Sequence, residues 1–184
     1  AMKAIVLYES KAGYTGKYAA WLAEALGCKA CTLHTFDAAT LGDYDTVVYG
    51  GGLYAGGIHG LKSFRSLLRS HQGQDIRTAV FATGASPARD EVVAEIRDRN
   101  LLAEEKDRIA FFYLRGGFDY SRLNRTDRFA MSLLRWKLRL TPAKKRTGDA
   151  RGMLAAYEKP VDFTRKRNLR PLLSWLGVIP EAEH

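Results

Sequence analysis

The 184-residue sequence holds only two cysteines and five prolines, and no apolar run in it approaches the roughly 20 residues that span a bilayer. So few cysteines exclude a disulfide scaffold. A chain of this length buries a sufficient core without such staples, and one domain is the expectation. A basic-then-apolar leader is also missing, because the first apolar piece runs only from Ala4 to Leu7, and a cytoplasmic protein is therefore expected. Ala1 ahead of Met2 reads as a cloning remnant. Two nucleotide signatures are absent from the first glycine-bearing turn. Only two residues separate Gly13 from Gly16 and Tyr18 follows Lys17, which does not match the phosphate loop of ATP and GTP enzymes, and the G-x-G-x-x-G of dinucleotide folds is not there either.

The two cysteines, Cys28 and Cys31, form a C-x-x-C pair. They fall in a predicted short strand, whereas a redox pair opens a helix, and zinc needs two more ligands that the sequence does not offer nearby. Residues three apart on a strand point to opposite faces. Buried structural thiols and no metal site are the expectation.

What the sequence does offer begins at Tyr8-Glu9-Ser10-Lys11-Ala12-Gly13-Tyr14-Thr15-Gly16-Lys17, directly after the apolar Lys3 to Leu7. Here a buried strand turns into a helix. The first backbone N–H groups of a helix have no partner within it and sit at the positive end of its dipole, so a phosphate placed there collects several hydrogen bonds. Ser10 and Thr15 add hydroxyls, and Gly13 permits a close approach or a positive φ. The spacing resembles the S/T-x-x-G-x-T phosphate loop of flavodoxins, which holds the terminal phosphate of FMN.

Hydrophobic periodicity then lays out alternating elements. Strands are expected at Met2–Tyr8, Cys28–Phe36, Tyr44–Gly50, Arg77–Thr83 and Arg108–Arg115. Helices are expected at about Thr15–Leu26, Ile58–Ser70, Asp90–Leu102 and Asp162–Leu176. Strands apolar on both faces and separated by helices imply a parallel sheet covered on both sides. The expected fold is thus α/β, a flavodoxin-like three-layer sandwich with five parallel strands in order 2-1-3-4-5. Its ligand site lies beyond the strands' carboxyl ends. The loops converging there supply Gly52, Leu53, Tyr54 and Ala55 after the third strand. Thr83, Gly84 and Ala85 follow the fourth, and Arg115, Gly116, Gly117 and Asp119 the fifth. With Ser10, Lys11, Ala12, Gly13, Tyr14 and Thr15 these are the candidate FMN-binding residues. No general acid or base is assigned; His59 falls near the glycine loop after the third strand, and Tyr54 and Tyr120 near the expected ring.

The chain resembles the flavodoxin-domain family that includes the quinone-dependent protoporphyrinogen oxidases. The likeness is carried by the Ser10–Thr15 turn, by Tyr44-Asp45-Thr46-Val47-Val48, and by Leu114-Arg115-Gly116-Gly117-Phe118-Asp119-Tyr120 followed by Asp127-Arg128-Phe129. The resemblance implies FMN as cofactor and an oxidoreductase that passes electrons from a porphyrinogen to a quinone, or alternatively an electron carrier for protein partners. The sequence departs from the oxidase in its loop after the third strand and in the tail Lys159-Pro160-Val161-Asp162-Phe163.

Charge is unevenly placed. From Arg115 to Arg151 there are eleven Lys or Arg against three Asp, a difference of +8 within a chain total of +9. Within this segment Phe129, Leu133, Trp136 and Leu140 share one helical stripe. A single domain over 2–178 with a basic helical insertion at about 120–148 follows. Such a helix suits an anionic membrane surface at its inner face, an acidic redox partner or the propionates of a porphyrin. It also suits packing on the domain's own sheet. Nucleic acid is not expected, since no recognised motif accompanies the confined charge.

Overall fold

A computed structural model describes residues 2–120, 125–142, 144 and 147–178. Of the basic stretch at 120–148, residues 121–124, 143, 145 and 146 therefore lie outside the described residues, and Asp127 and Arg128 are described as backbone alone.

Strand β1 (Ala4–Glu9) leads into helix α1 (Tyr14–Leu26), then β2 (Lys29–Thr32). Strand β3 (Thr46–Tyr54) folds back on β4 (Gly57–Ile58) before helix α2 (Leu61–Arg69). Next come β5 (Arg77–Gly84), α3 (Asp90–Asn100), β6 (Ile109–Arg115) and β7 (Gly117–Phe118). Helices α4 (Arg125–Leu140) and α5 (Gly148–Glu158), strand β8 (Val161–Asp162) and helix α6 (Arg170–Leu176) complete the chain. The five long strands pair in parallel in the order β2-β1-β3-β5-β6, the α/β arrangement expected from the sequence.

Alternate residues of each strand face opposite layers. Ile5, Leu7, Val47, Tyr49 and Val80 pack against Leu61, Phe64 and Leu67 of α2 and Ile96 of α3. Val6, Val48, Ala79 and Phe81 face Tyr18, Ala19 and Leu22 of α1 and Leu172, Leu173 and Leu176 of α6. Both faces are dry, which is why the strands read as continuous apolar runs. Gly50 belongs to this packing: a Cβ there would lie 2.1 Å from the Phe81 ring.

Several boundaries differ from the sequence reading. The second strand stops at Thr32, because the Glu9 carboxylate accepts from the His34 backbone N–H at 3.1 Å and pairs with its Nδ1 at 3.0 Å, drawing Leu33–Thr35 into a 3-10 turn. The third strand runs on through its glycines to Tyr54, since Glu9 and Thr83 continue the ladders on either side. The last helix starts at Arg170 instead of near Asp162. Val161–Asp162 is held as a strand against Gly117–Phe118, and the Asp162 carboxylate accepts from the Thr164 N–H and hydroxyl at 2.8 and 2.6 Å, a side-chain turn that competes with helix. Helix α5 was not anticipated. Cys28 and Cys31 are free thiols packed toward opposite faces of the sheet, and both are half-buried where full burial was expected.

Candidate functional site

Beyond the carboxyl ends of β1, β3 and β5 lies a cavity of about 560 Å³, within the range of small-molecule sites. Its floor is the β1–α1 turn. Gly13 caps α1 at φ +92°, a left-handed conformation that glycine adopts at little cost, and brings no side chain to the helix start. The Gly13 N–H donates to Ser10 Oγ at 3.0 Å, which folds the turn around the helix N-terminus. Ser10, Lys11, Ala12, Tyr14 and Thr15 line the cavity. Thr15 is buried, and its hydroxyl shares a 2.8 Å hydrogen bond with that of Thr83 at the end of β5.

The next wall comes from the β3–β4 hairpin. Ala55 and Gly56 occupy its two turn positions with φ of +52° and +83°, the pairing of positive φ values that matches strand twist in a tight hairpin. Ala55 is the one described non-glycine residue with positive φ, and such strain collects at binding sites. Gly52, Leu53, Tyr54 and Ala55 all line the cavity. The Lys11 ammonium sits 4.4 Å from the Tyr54 ring centroid. At Gly52 a Cβ would meet nothing closer than 3.4 Å, so the protein itself leaves that wall open.

Thr83, Gly84 and Ala85 form the third side. Tyr113 of β6 stands behind them, its hydroxyl donating to the Ser86 carbonyl at 2.6 Å, and burial raises its pKa. Past β6, Gly117 and the buried Asp119 complete the rim. Gly117 is forced: a Cβ there would lie 2.2 Å from the Val161 carbonyl oxygen and 2.6 Å from the Tyr14 ring.

Of the seventeen candidate residues read from the sequence, Gly13, Arg115 and Gly116 do not line the cavity. Arg115 turns away, with its guanidinium 3.5 Å from the Phe163 ring centroid and Nε donating to the Ala85 carbonyl at 3.0 Å. Gly116 ties the rim through its N–H to the Gly84 carbonyl at 2.7 Å. His59 lines a second, mostly apolar cavity of about 580 Å³ beside Glu9 and His34, and its ring meets that of Tyr54 edge-on with centroids 5.8 Å apart. Tyr120 hydrogen-bonds Ser132 on α4.

Sequence reading missed a whole wall. Ala130, Met131 and Leu134 of α4 close the cavity opposite the sheet, and Val92, Glu95 and Ile96 of α3 extend it. The signal was present in α4: at about 100° per residue, positions 131, 134 and 138 fall on the side of the helix opposite Phe129, with 130 at the margin of that side. Helix α4 is apolar along two edges, an outer one through Phe129 and Trp136 and an inner one facing the cavity. Among the described residues no cluster of His, Cys, Asp or Glu can hold a metal ion, and no helix is long and apolar enough to cross a membrane.

A family model described as a flavodoxin domain matches residues 5–144. No curated protein is similar enough to match the chain. Among solved structures, a flavoprotein in complex with FMN from Lactobacillus acidophilus is 18% identical, with 62% of this chain and 93% of that one covered and a TM-score of 0.41. Flavodoxin 1 of Bacillus cereus is 17% identical, with coverage of 70% and 90% and a TM-score of 0.41. The rubredoxin oxygen:oxidoreductase of Desulfovibrio gigas is 17% identical over 84% of this chain and 37% of that one, with a TM-score of 0.44.

Proposed function

The chain belongs to the flavodoxin domain family, and on that footing we propose that it is an FMN-binding redox protein whose cofactor occupies the cavity above β1, β3 and β5. The observation that carries this reading is the division of one cavity into a polar turn and an apolar slot. At one end Ser10, Thr15 and the start of α1 offer hydroxyls and backbone N–H groups to an anionic tail. At the other, Leu53, Tyr54, Ala85, Met131 and Leu134 offer flat apolar walls. The residues present fit a phosphorylated planar ring.

When bound, FMN supplies reversible electron and hydride transfer. The protein's part is to bind, orient and exclude water. Thr15 and Thr83, hydrogen-bonded to one another, fix the depth of the phosphate end. Leu53, Met131 and Leu134 keep solvent from the slot. Asp119, 9% exposed, supplies a buried acceptor for an N–H at the ring edge, and the Gly84–Ala85 backbone supplies donors. The deciding experiment is the visible spectrum of the purified protein with an FMN titration. A flavin spectrum, or binding with thermal stabilisation, is expected; a colourless protein that FMN does not stabilise overturns the reading.

Within that activity we assign an oxidoreductase of the protoporphyrinogen-oxidase type, taking electrons from a porphyrinogen through FMN to a quinone in the cytoplasm. Its support is the strand exit Leu114–Tyr120 and the helix α4 that follows, which walls the cavity. Residues 2–178 are taken as one unit with its basic insertion at about 120–148. Anaerobic turnover of protoporphyrinogen with menaquinone tests this, and absence of turnover by an FMN-loaded protein rejects it. The charge of the Arg115–Arg151 segment favours a second reading, an electron carrier docking on acidic protein partners, which predicts fast exchange that salt suppresses.

A further inference from the structure

The outer edge of α4 lies bare. Phe129, Leu133, Trp136 and Leu140 are 67, 53, 65 and 63% exposed, although their spacing of four, three and four residues sets them within about 60° of one another on the helix. The stripe runs about 16 Å along the axis. They make up four of the six large apolar side chains exposed among the described residues. The alternative that this stripe packs on the domain's own sheet is not met. A contiguous apolar strip of this kind marks an interaction surface.

The chemistry around the strip selects its occupant. Helix α4 carries five Lys or Arg and one Asp. Lys137 and Arg139, both exposed, lie at its two borders when residues are spaced about 100° apart. A second copy of the chain would bring like charges face to face. A bilayer with anionic headgroups offers both counter-charge and an apolar layer beneath it, and the indole of Trp136 suits the boundary between them.

We propose that α4 is a two-sided helix. Its outer edge seats in the headgroup region of an anionic membrane, while its inner edge, Ala130, Met131 and Leu134, walls the cofactor cavity. Docking then places the cavity about one helix diameter, roughly 10 Å, from the lipid surface, where a lipid-soluble electron acceptor arrives. That last consequence rests on the flavin reading; the docking itself does not.

The test uses the full chain with vesicles of phosphatidylcholine alone or mixed with phosphatidylglycerol, read by co-flotation. Binding is expected only with the anionic vesicles and falls as salt is raised. The double variants L133S/W136S and K137E/R139E each weaken it roughly tenfold or more, and L133S/W136S does so with unchanged Tm and unchanged FMN titration, because its two altered side chains are solvent-exposed. No flotation with anionic vesicles, equal flotation by the variants, or a dimer that L133S/W136S dissociates in the absence of any vesicle binding overturns the proposal. A colourless protein that still floats supports docking while defeating the flavin assignment.

Discussion

Thr15 and Thr83 are 68 residues apart in sequence, yet their buried hydroxyls meet at 2.8 Å. The bond joins the first turn of α1 to the end of β5 and so fixes the separation of two loops that face the same cavity. One hydroxyl proton is spent between them, which leaves the other to donate to an acceptor in the cavity.

Removing one member of this pair separates stability from binding. Thr83→Val leaves Thr15 without its partner at a cost of about 1–2 kcal/mol, a fall in Tm of roughly 3–6 °C for a chain of this size. Thr15→Val costs similar stability and also removes a donor to the phosphate, so FMN affinity falls a further tenfold or so. Calorimetry and flavin titration of both variants check this; equal affinities would show that Thr15 does not touch the cofactor.

Two glycines of the rim answer different questions. At Gly117 an added methyl meets the Val161 carbonyl and the Tyr14 ring, and Gly117→Ala loosens the β7–β8 pair with a loss of about 1–3 kcal/mol. At Gly52 the protein has room for the methyl. Gly52→Ala therefore folds with nearly unchanged Tm but loses FMN affinity, because only the ligand contests that space. Full affinity in Gly52→Ala would move the cofactor away from the β3 wall.

The sheet was legible because strands such as Tyr44–Gly50 are apolar on both faces, a pattern that a parallel sheet alone requires. The phosphate-type turn was legible because Ser10, Gly13 and Thr15 are adjacent in sequence. What escaped depends on distant partners. Glu9 shortens β2 through His34, and Val161–Asp162 becomes a strand only because Gly117–Phe118 lies beside it. Arg115 was expected among the FMN-binding residues, but Phe163, 48 residues on, captures its guanidinium. The α4 wall escaped because an amphipathic helix was read as having one apolar edge when it has two.

Acid stability reports on a different pair. Arg65 donates to Glu105 through Nε and Nη2, both at 2.8 Å, and also to the Asn100 carbonyl. The guanidinium holds the Glu105 carboxyl below its ordinary value of 4.5, against the opposing effect of partial burial. Below that ordinary value the unfolded chain takes up the proton first, so stability falls as pH drops toward the folded-state value; above it the contribution is complete. Glu105→Gln should cost about 2 kcal/mol at pH 7 and progressively less toward pH 3. Urea midpoints across this range check it, and a gap independent of pH would argue against the ion pair.

Reduction places negative charge in the cavity, so a nearby cation raises the potential. The Arg115 guanidinium lies on Phe163 outside the cavity lining, while Lys11 lines the cavity and sits over Tyr54. A lining charge in partly solvated surroundings contributes roughly 0.5–1 kcal/mol, which is about 10–20 mV for a two-electron couple. Lys11→Gln should therefore make the midpoint more negative by that amount, with a smaller shift in high salt. Arg115→Gln should shift the midpoint less than Lys11→Gln, because its guanidinium is stacked on Phe163 outside the cavity lining, and should lower Tm, since it loses that stack and the Ala85 hydrogen bond. Spectroelectrochemical titration of the two variants decides between them. A shift confined to Arg115→Gln would mean that the guanidinium leaves Phe163 when the cofactor is bound.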